Sequence, residues 1–281
     1  MVMGWGYSVL GKEGGEALML KALEAHQRSG NRVRQANMLT NIGSACYWAG
    51  RWDDAMTYFE RGRDEQIKVG DRLGAAMCLL GIGEILSDRG ELAEAESTLQ
   101  KTVPVWKASE YHYFLGYCLW MLGRVSLRGN KVEEALSRFA EARALLTDVG
   151  AEHEVLDIDA RVAECHLLKS EPDAALALAD GILAKPDSSG AIARLTPLLN
   201  RIRGYALLVQ GDPWGAREAF DASLEVARER KERFDVVLTL NALIELDRQE
   251  GIEPPQEVVD ESRAAIAQLK IRALPAMPAI G

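Results

Sequence analysis

The decisive stretch is residues 31–70, NRVRQANMLTNIGSACYWAGRWDDAMTYFERGRDEQIKVG. In its first half Met38, Leu39, Ile42, Ala45 and Cys46 fall at i, i+3, i+4 spacing, so one face of a helix is apolar. Gly50 predicts the end of that helix, because a left-handed residue after the last turn is easiest for glycine. The second half places Trp52, Ala55, Phe59 and Ile67 on another stripe, with Asp53 and Asp54 in the first turn, where carboxylates complement the helix dipole. Gly70 closes the segment. The reading is a helical hairpin of two long helices joined by short turns.

The same grammar recurs every forty residues. Gly43, Gly83 and Gly123 are in phase, followed by Ala163 and, one residue late, Gly204. Ala55, Ala95, Ala135, Ala175 and Ala216 form a second series, and Phe59, Leu99, Phe139 and Phe220 a third. A period of this size marks one supersecondary unit used repeatedly, each copy burying its apolar face against its neighbours. Small residues let paired helices approach closely, and the larger series is expected to fill the space between neighbouring hairpins. The extra residue before Gly204 is expected in the loop Lys185–Gly190. Asp212 and Pro213 read as the N-cap and first residue of a helix. Pro104 is expected to kink or shorten its helix. Asp159 and Arg203 stand where other units are apolar, so the phase is expected to slip or the stack to open there.

The predicted fold is all-α: a solenoid of about seven antiparallel helix pairs. The units are approximately 1–30, 31–70, 71–110, 111–150, 151–190, 191–231 and 232–270, forming a single solenoid over 1–270, with a flexible C-terminal tail at 271–281. Gly4 and Gly11 repeat the spacing of Gly43 and Gly50, so the first unit reads as a hairpin whose opening helix is cut short. Apolar surface exposed by that truncation would favour a homo-oligomer.

The 281 residues are 48% hydrophobic and 27% charged, with a net charge of −9. That charge repels phosphate backbones and argues against nucleic acid as partner. No apolar run reaches the ~18 residues of a membrane span, and Met1–Leu10 lacks the pattern of a signal peptide, so the expected setting is cytoplasmic. Cys46, Cys78, Cys118 and Cys165 form no C-x-x-C pair and read as buried, reduced thiols. His26, His112, His153 and His166 are scattered, so no metal site is expected. Gly11-Lys12 lacks the spacing of a phosphate-binding loop. Asp53-Asp54 and Glu133-Glu134 are explained by helix starts. No catalytic residue and no cofactor are predicted, and the chain does not read as an enzyme.

Leu39, Ile42, Gly43, Gly50, Trp52, Ala55 and Phe59 stand where tetratricopeptide repeats carry their signature residues, and the match recurs in phase along nearly the whole chain. The chain therefore resembles that family, with forty residues per unit in place of the usual 34. The turns Gly30-Asn31-Arg32 and Gly70-Asp71-Arg72 resemble those in the C-terminal repeat region of bacterial cyclase/ATPase-type signalling regulators. The resemblance implies a right-handed superhelix whose concave face, lined by the first helix of each pair, binds a protein or peptide. Carried over position by position, the binding residues are Asn37, Asn41, Tyr47 and Trp48 in the second unit, and Glu84 in the third. They continue as Tyr117, Trp120 and Arg124, then Glu164, then Arg201 and Tyr205, and finally Asn241 and Glu245. The expected function is a binding scaffold or regulatory interaction domain in bacterial signalling. The alternative is a peptide-sensing receptor whose superhelix changes shape on binding a small peptide.

Overall fold

The computed structural model describes residues 15–187 and 190–276. The predicted first helix of the opening unit, with Gly4 and Gly11, lies outside them, as do residues 277–281 of the predicted tail. Two compact units divide the chain, Met1–Tyr111 and His112–Gly281.

In the first unit α1 (Gly15–Arg28) precedes α2 (Arg32–Trp48) and α3 (Trp52–Lys68), then α4 (Arg72–Arg89), α5 (Leu92–Gln100) and α6 (Val103–Ala108). The second unit contains α7 (His112–Arg128), α8 (Val132–Asp148), α9 (Glu152–Leu168), α10 (Pro172–Leu183), α11 (Ala191–Val209), α12 (Pro213–Glu229), α13 (Arg233–Gln249) and α14 (Gln256–Leu269). Within each unit consecutive helices pack as pairs, and the described residues hold no strand. This is a tetratricopeptide-like helical solenoid architecture.

The glycine series explains the pairing. A Cβ added at Gly43 would fall within 3.0 Å of the Phe59 ring, and one at Gly83 equally close to Leu99. Gly123 meets Phe139 and Gly204 meets Phe220 in the same way. Gly116, seven residues before Gly123, meets Leu146, seven residues after Phe139, so α7 and α8 run antiparallel. Each large side chain thus lies on the bare backbone of its own hairpin partner. Phe59 also lies on Gly81 of α4, so it joins two hairpins as well as filling its own. Where Ala163 replaces glycine, the facing position is Ala179, and both are fully buried. The pair keeps its volume by shrinking one side as the other grows. Ala55, Ala95, Ala135, Ala175 and Ala216 are likewise inaccessible.

The turns share one backbone device. Positions 30, 50, 70, 90, 110, 130, 150, 170, 190, 211, 231, 251 and 270 all have positive φ, a left-handed residue every twenty or so along the chain. At Gly50 the pattern is completed by Arg51 N–H donating to the Cys46 carbonyl at 2.9 Å, and at Gly70 by Asp71 N–H donating to the Gln66 carbonyl at 2.9 Å. This wrap satisfies helix-end carbonyls that would otherwise lack partners.

Three expectations change. Ile67 is 62% exposed, and Gly62 and Gln66 are the buried members of its stripe. Counting by 3.6 from Ala55 and Phe59 reaches 62 and 66, which leaves 67 turned about 100° away. Asp159 and Arg203 do not open the stack. Asp159 pairs with Arg143 at 2.9 Å and Arg203 with Asp180 at 2.8 Å, while α9 and α11 continue through them. The added residue lies in α11 and not in the loop 185–190: the left-handed joints at 170 and 190 keep the spacing of twenty, the next comes at 211, and α11 starts early after a shortened α10, with Pro197 inside it. Ser223 of α12 donates to the Pro197 carbonyl at 2.7 Å. Pro104 acts as expected: the helix divides between Gln100 and Val103, with the proline in the first turn of α6.

Candidate binding face

In the first unit a cleft opens between α2 and α4. Asn41, Ser44, Tyr47 and Trp48 line it from α2, Met77, Gly81 and Glu84 from α4, and Phe59 closes part of its floor. The α2 residues recur at i, i+3, i+6 and i+7, one helical stripe. Tyr47 stacks on Trp52 with ring centroids 6.1 Å apart and meets Trp48 edge-on at 5.1 Å. Its hydroxyl donates to Asp88 at 2.5 Å, which ties α2 to α4. Trp48 remains 37% exposed, whereas Glu84 is 7% exposed. Asn37 accepts from Gln66 Nε2 at 2.8 Å, so its amide is tied to α3.

In the second unit Tyr113, Tyr117, Trp120 and Arg124 form a continuous stripe on α7. Tyr113 stacks on Tyr117 at 6.4 Å, Tyr117 packs on Trp120 at 4.9 Å, and the Arg124 guanidinium lies 5.0 Å from the Trp120 ring centre. Tyr117, Trp120 and Arg124 are all less than a tenth exposed. Beside them on α9 is an ionic cluster. Asp157 meets Arg194 of α11 at 3.1 Å and Arg161 at 3.6 Å, and Arg161 meets Glu164 at 2.7 Å. Burial alone would raise the Asp157 carboxyl. The charges of Arg194, Arg161 and Arg124 outweigh it and hold the group below the usual carboxylate range. Tyr113 donates to Glu154 at 2.6 Å, and burial pushes its hydroxyl up.

Further along, Arg201 joins Asp235 at 2.7 Å and donates to Thr239 at 3.2 Å, linking α11 to α13. Tyr205 packs edge-on against Phe220 at 5.0 Å inside its own hairpin, and burial raises its hydroxyl. Asn241 donates to the Val237 carbonyl and to Ser262 Oγ, both at 2.8 Å. Glu245 is half-buried on α13.

The residues named from sequence therefore divide. Asn41, Tyr47, Trp48 and Glu84 share one cleft. Tyr117, Trp120, Arg124 and Glu164 belong to the aromatic and ionic surface of α7 and α9. Asn37, Tyr205 and Asn241 bond within their own hairpins. Asp88, Asp157, Arg161 and Arg194 escaped the sequence reading. The repeat phase carried a signal for one of them, since Asp157 stands forty residues after Tyr117.

Among the described residues no group of His, Cys, Asp and Glu could hold a metal ion, and no helix is long and apolar enough to cross a membrane. All four cysteines are buried and outside any disulfide; burial pushes the thiols of Cys46 and Cys78 up to about 11 and that of Cys165 to about 12.

Paired helices with small residues at their crossings and aromatic stripes on the first helices define a helical-repeat protein. The tetratricopeptide-repeat family model matches residues 74–148. Among solved structures, the fold is similar to the Rap conjugation gene regulator of the plasmid pLS20 in complex with the Phr* peptide, with a TM-score of 0.68 at 15% identity. The likeness covers 87% of this chain, which spans 66% of that one. No curated protein matches the sequence. Residues 74–148 thus carry tetratricopeptide-repeat sequence within a helical-repeat fold.

Proposed function

We propose that the chain is a non-catalytic regulatory scaffold that binds a protein or peptide through the first-helix face of its hairpins, in bacterial signalling and in the cytoplasm. The observation that carries this reading is the α2–α4 cleft, where aromatic rings, an amide, hydroxyls and one carboxylate converge. Tyrosine and tryptophan supply large contact area for little lost side-chain freedom, and Asn41 offers both donor and acceptor to an extended backbone. The residues proposed to contact the partner are Asn41, Tyr47, Trp48 and Glu84, with Tyr117, Trp120, Arg124, Glu164 and Arg201 as their counterparts in the second unit. The single solenoid over 1–270, a homo-oligomer through the first hairpin and the exclusion of nucleic acid belong to the same proposal. The turns resembling those of cyclase/ATPase regulators support the signalling setting.

Selection from a random peptide-display library tests the reading. Peptides enriched by the chain should lose binding to Asn41→Ala and Trp48→Ala and keep it for Trp214→Ala, whose indole on α12 is 73% exposed. No enrichment, or equal binding by all three variants, would sink it.

Peptide sensing with a change of shape is the second reading. It is favoured by the similar fold seen with a bound peptide. Scattering curves with and without a selected peptide separate the two, since a static scaffold keeps its radius of gyration.

A further inference from the structure

A second cleft lies on another side of α4, still within the first unit. Its volume is about 230 Å³, and it is bounded by the end of α3, by α4 and by the break between α5 and α6. Its α4 residues are Arg72, Ala75, Ala76 and Leu79, at i, i+3, i+4 and i+7, a single stripe. Met77, Gly81 and Glu84, which line the α2–α4 cleft, form a different stripe. At about 100° per residue the two stripes fall on roughly opposite sides of the helix.

The local sequence makes this second cleft. Pro104 divides the helix after Gln100, so Lys101 falls at the break and Val105 in the short α6. The corresponding helices α3, α8 and α12 run unbroken for 17 residues. Ala75 and Ala76 are too small to fill the space beside the break, and Ile67 is left 62% exposed at its edge. The lining then has two chemistries. Ala75, Ala76, Leu79 and Val105 are apolar, while Arg72 and Lys101 are exposed cations, and no carboxylate joins them. Carboxylates close by in sequence are committed elsewhere. Asp64 pairs with Arg63 at 2.8 Å, Glu65 with Lys68 at 2.7 Å, and Asp71 accepts from the Gly74 N–H at 2.8 Å. Glu96 accepts from Gln100 Nε2 at 3.3 Å.

An occupant that matches this lining is apolar at its centre and anionic at its edges. Room decides its kind. Sites that enclose a small molecule run to roughly 300–1,000 Å³, whereas a cavity of about 150 Å³ already holds a benzene ring. One large side chain fits. We infer that this cleft docks an acidic segment of a partner protein, which inserts one leucine or phenylalanine beside Leu79 and Val105 and sets carboxylates against Arg72 and Lys101. The surface is separate from the α2–α4 cleft, so α4 can hold two segments at once.

Four fluorescein-labelled, C-amidated dodecapeptide pools test this by fluorescence anisotropy with the full chain at low salt. Three have phenylalanine at the centre and are otherwise random in alanine, serine and one of glutamate, glutamine or lysine. The fourth is the glutamate pool with serine at the centre. The glutamate pool should bind about fivefold more tightly than the glutamine pool, the scale of two exposed ion pairs. Loss of the phenylalanine should weaken binding about tenfold, as expected for one buried ring. The lysine pool should bind least. Arg72→Glu combined with Lys101→Glu should erase the glutamate preference, with folding checked by circular dichroism. Trp48→Ala, in the other cleft, should leave that preference unmoved. Equal affinity for the glutamate and glutamine pools, or a preference that survives in the double variant, overturns the inference. So does a preference lost in Trp48→Ala, which would move the segment to the α2–α4 cleft. Should the double variant fail to fold, Arg72→Gln and Lys101→Gln tested singly take its place, and each should roughly halve the preference. Dodecanoate, titrated by calorimetry below its micellar concentration, is the lipid arm. Its binding with no pool bound assigns the cleft to a fatty acid and overturns the protein partner. Binding of neither removes the cleft as a docking site and leaves the α2–α4 reading standing.

Discussion

Gly123 has no room for one more carbon, because Phe139 occupies the place where its Cβ would sit. Gly123→Ala should therefore lower stability by about 1–3 kcal/mol, the usual penalty of overpacking. A thermal melt checks it, and an unchanged midpoint would contradict the crossing geometry. Asp157 poses the opposite problem. It is buried among three arginines, and removing its charge takes away the carboxylate that Arg161 and Arg194 share. Asp157→Asn should destabilise by about 3–5 kcal/mol, the range for breaking a buried ion pair. The pH sign follows from its lowered pKa. The stabilisation is present above the unfolded value near 3.8 and is lost as pH falls below that through the folded value. Urea midpoints measured between pH 5 and pH 2 should fall more steeply for the native chain than for Asp157→Asn. The two classes of residue differed in legibility. Gly123 was visible because a repeat displays its small positions in phase. The ionic role of Asp157 was hidden, since its partner Arg194 is 37 residues away on another hairpin.

Individual helices show which element boundaries a sequence reveals. The ends at Gly50 and Gly70 were readable because glycine advertises the left-handed turn. The equivalent turns at Glu110, Asn130, Ser170, Lys231 and Lys270 use the same backbone without glycine, so the twenty-residue half-period was invisible. Side chains in that conformation carry a strain of roughly 1 kcal/mol relative to glycine. Ser170→Gly and Lys231→Gly should each raise stability by about 0.5–1 kcal/mol, measured by urea denaturation. Substitution that leaves both midpoints unmoved would mean that these turns relax in solution. The path of α10 and α11 was only partly legible. The added residue lies after Gly190, where the joints at 190 and 211 are one residue further apart than the regular twenty, and nothing in the pattern announced a longer helix running through Pro197, whose carbonyl is bonded by Ser223 from the next helix.

At the scale of the molecule, the all-helical repeat was written plainly in the sequence, because stacking demands the same small and large residues in every copy. The partner-facing residues were harder to read. First-helix positions serve packing and recognition together, and the burial of Tyr117, Trp120 and Arg124 shows how far packing reaches. The cysteines provide a probe of the whole chain, with Cys46 and Cys78 in one unit and Cys118 and Cys165 in the other. At pH 8 iodoacetamide should leave all four unmodified in the native protein, since burial keeps Cys46, Cys78 and Cys165 in the thiol form. Labelling should begin only as urea opens the repeats, and mass spectrometry of the modified peptides would show which unit yields first. Rapid native labelling of any of the four would refute their burial.

The metronomic left-handed joints have a genetic consequence. A forty-residue cassette cut at Gly30 and Gly70 begins and ends on the same backbone conformation, with φ of 67° and 77°. Duplicating or deleting such a cassette would splice like onto like, so lengthening or shortening this array requires no new joint to be invented.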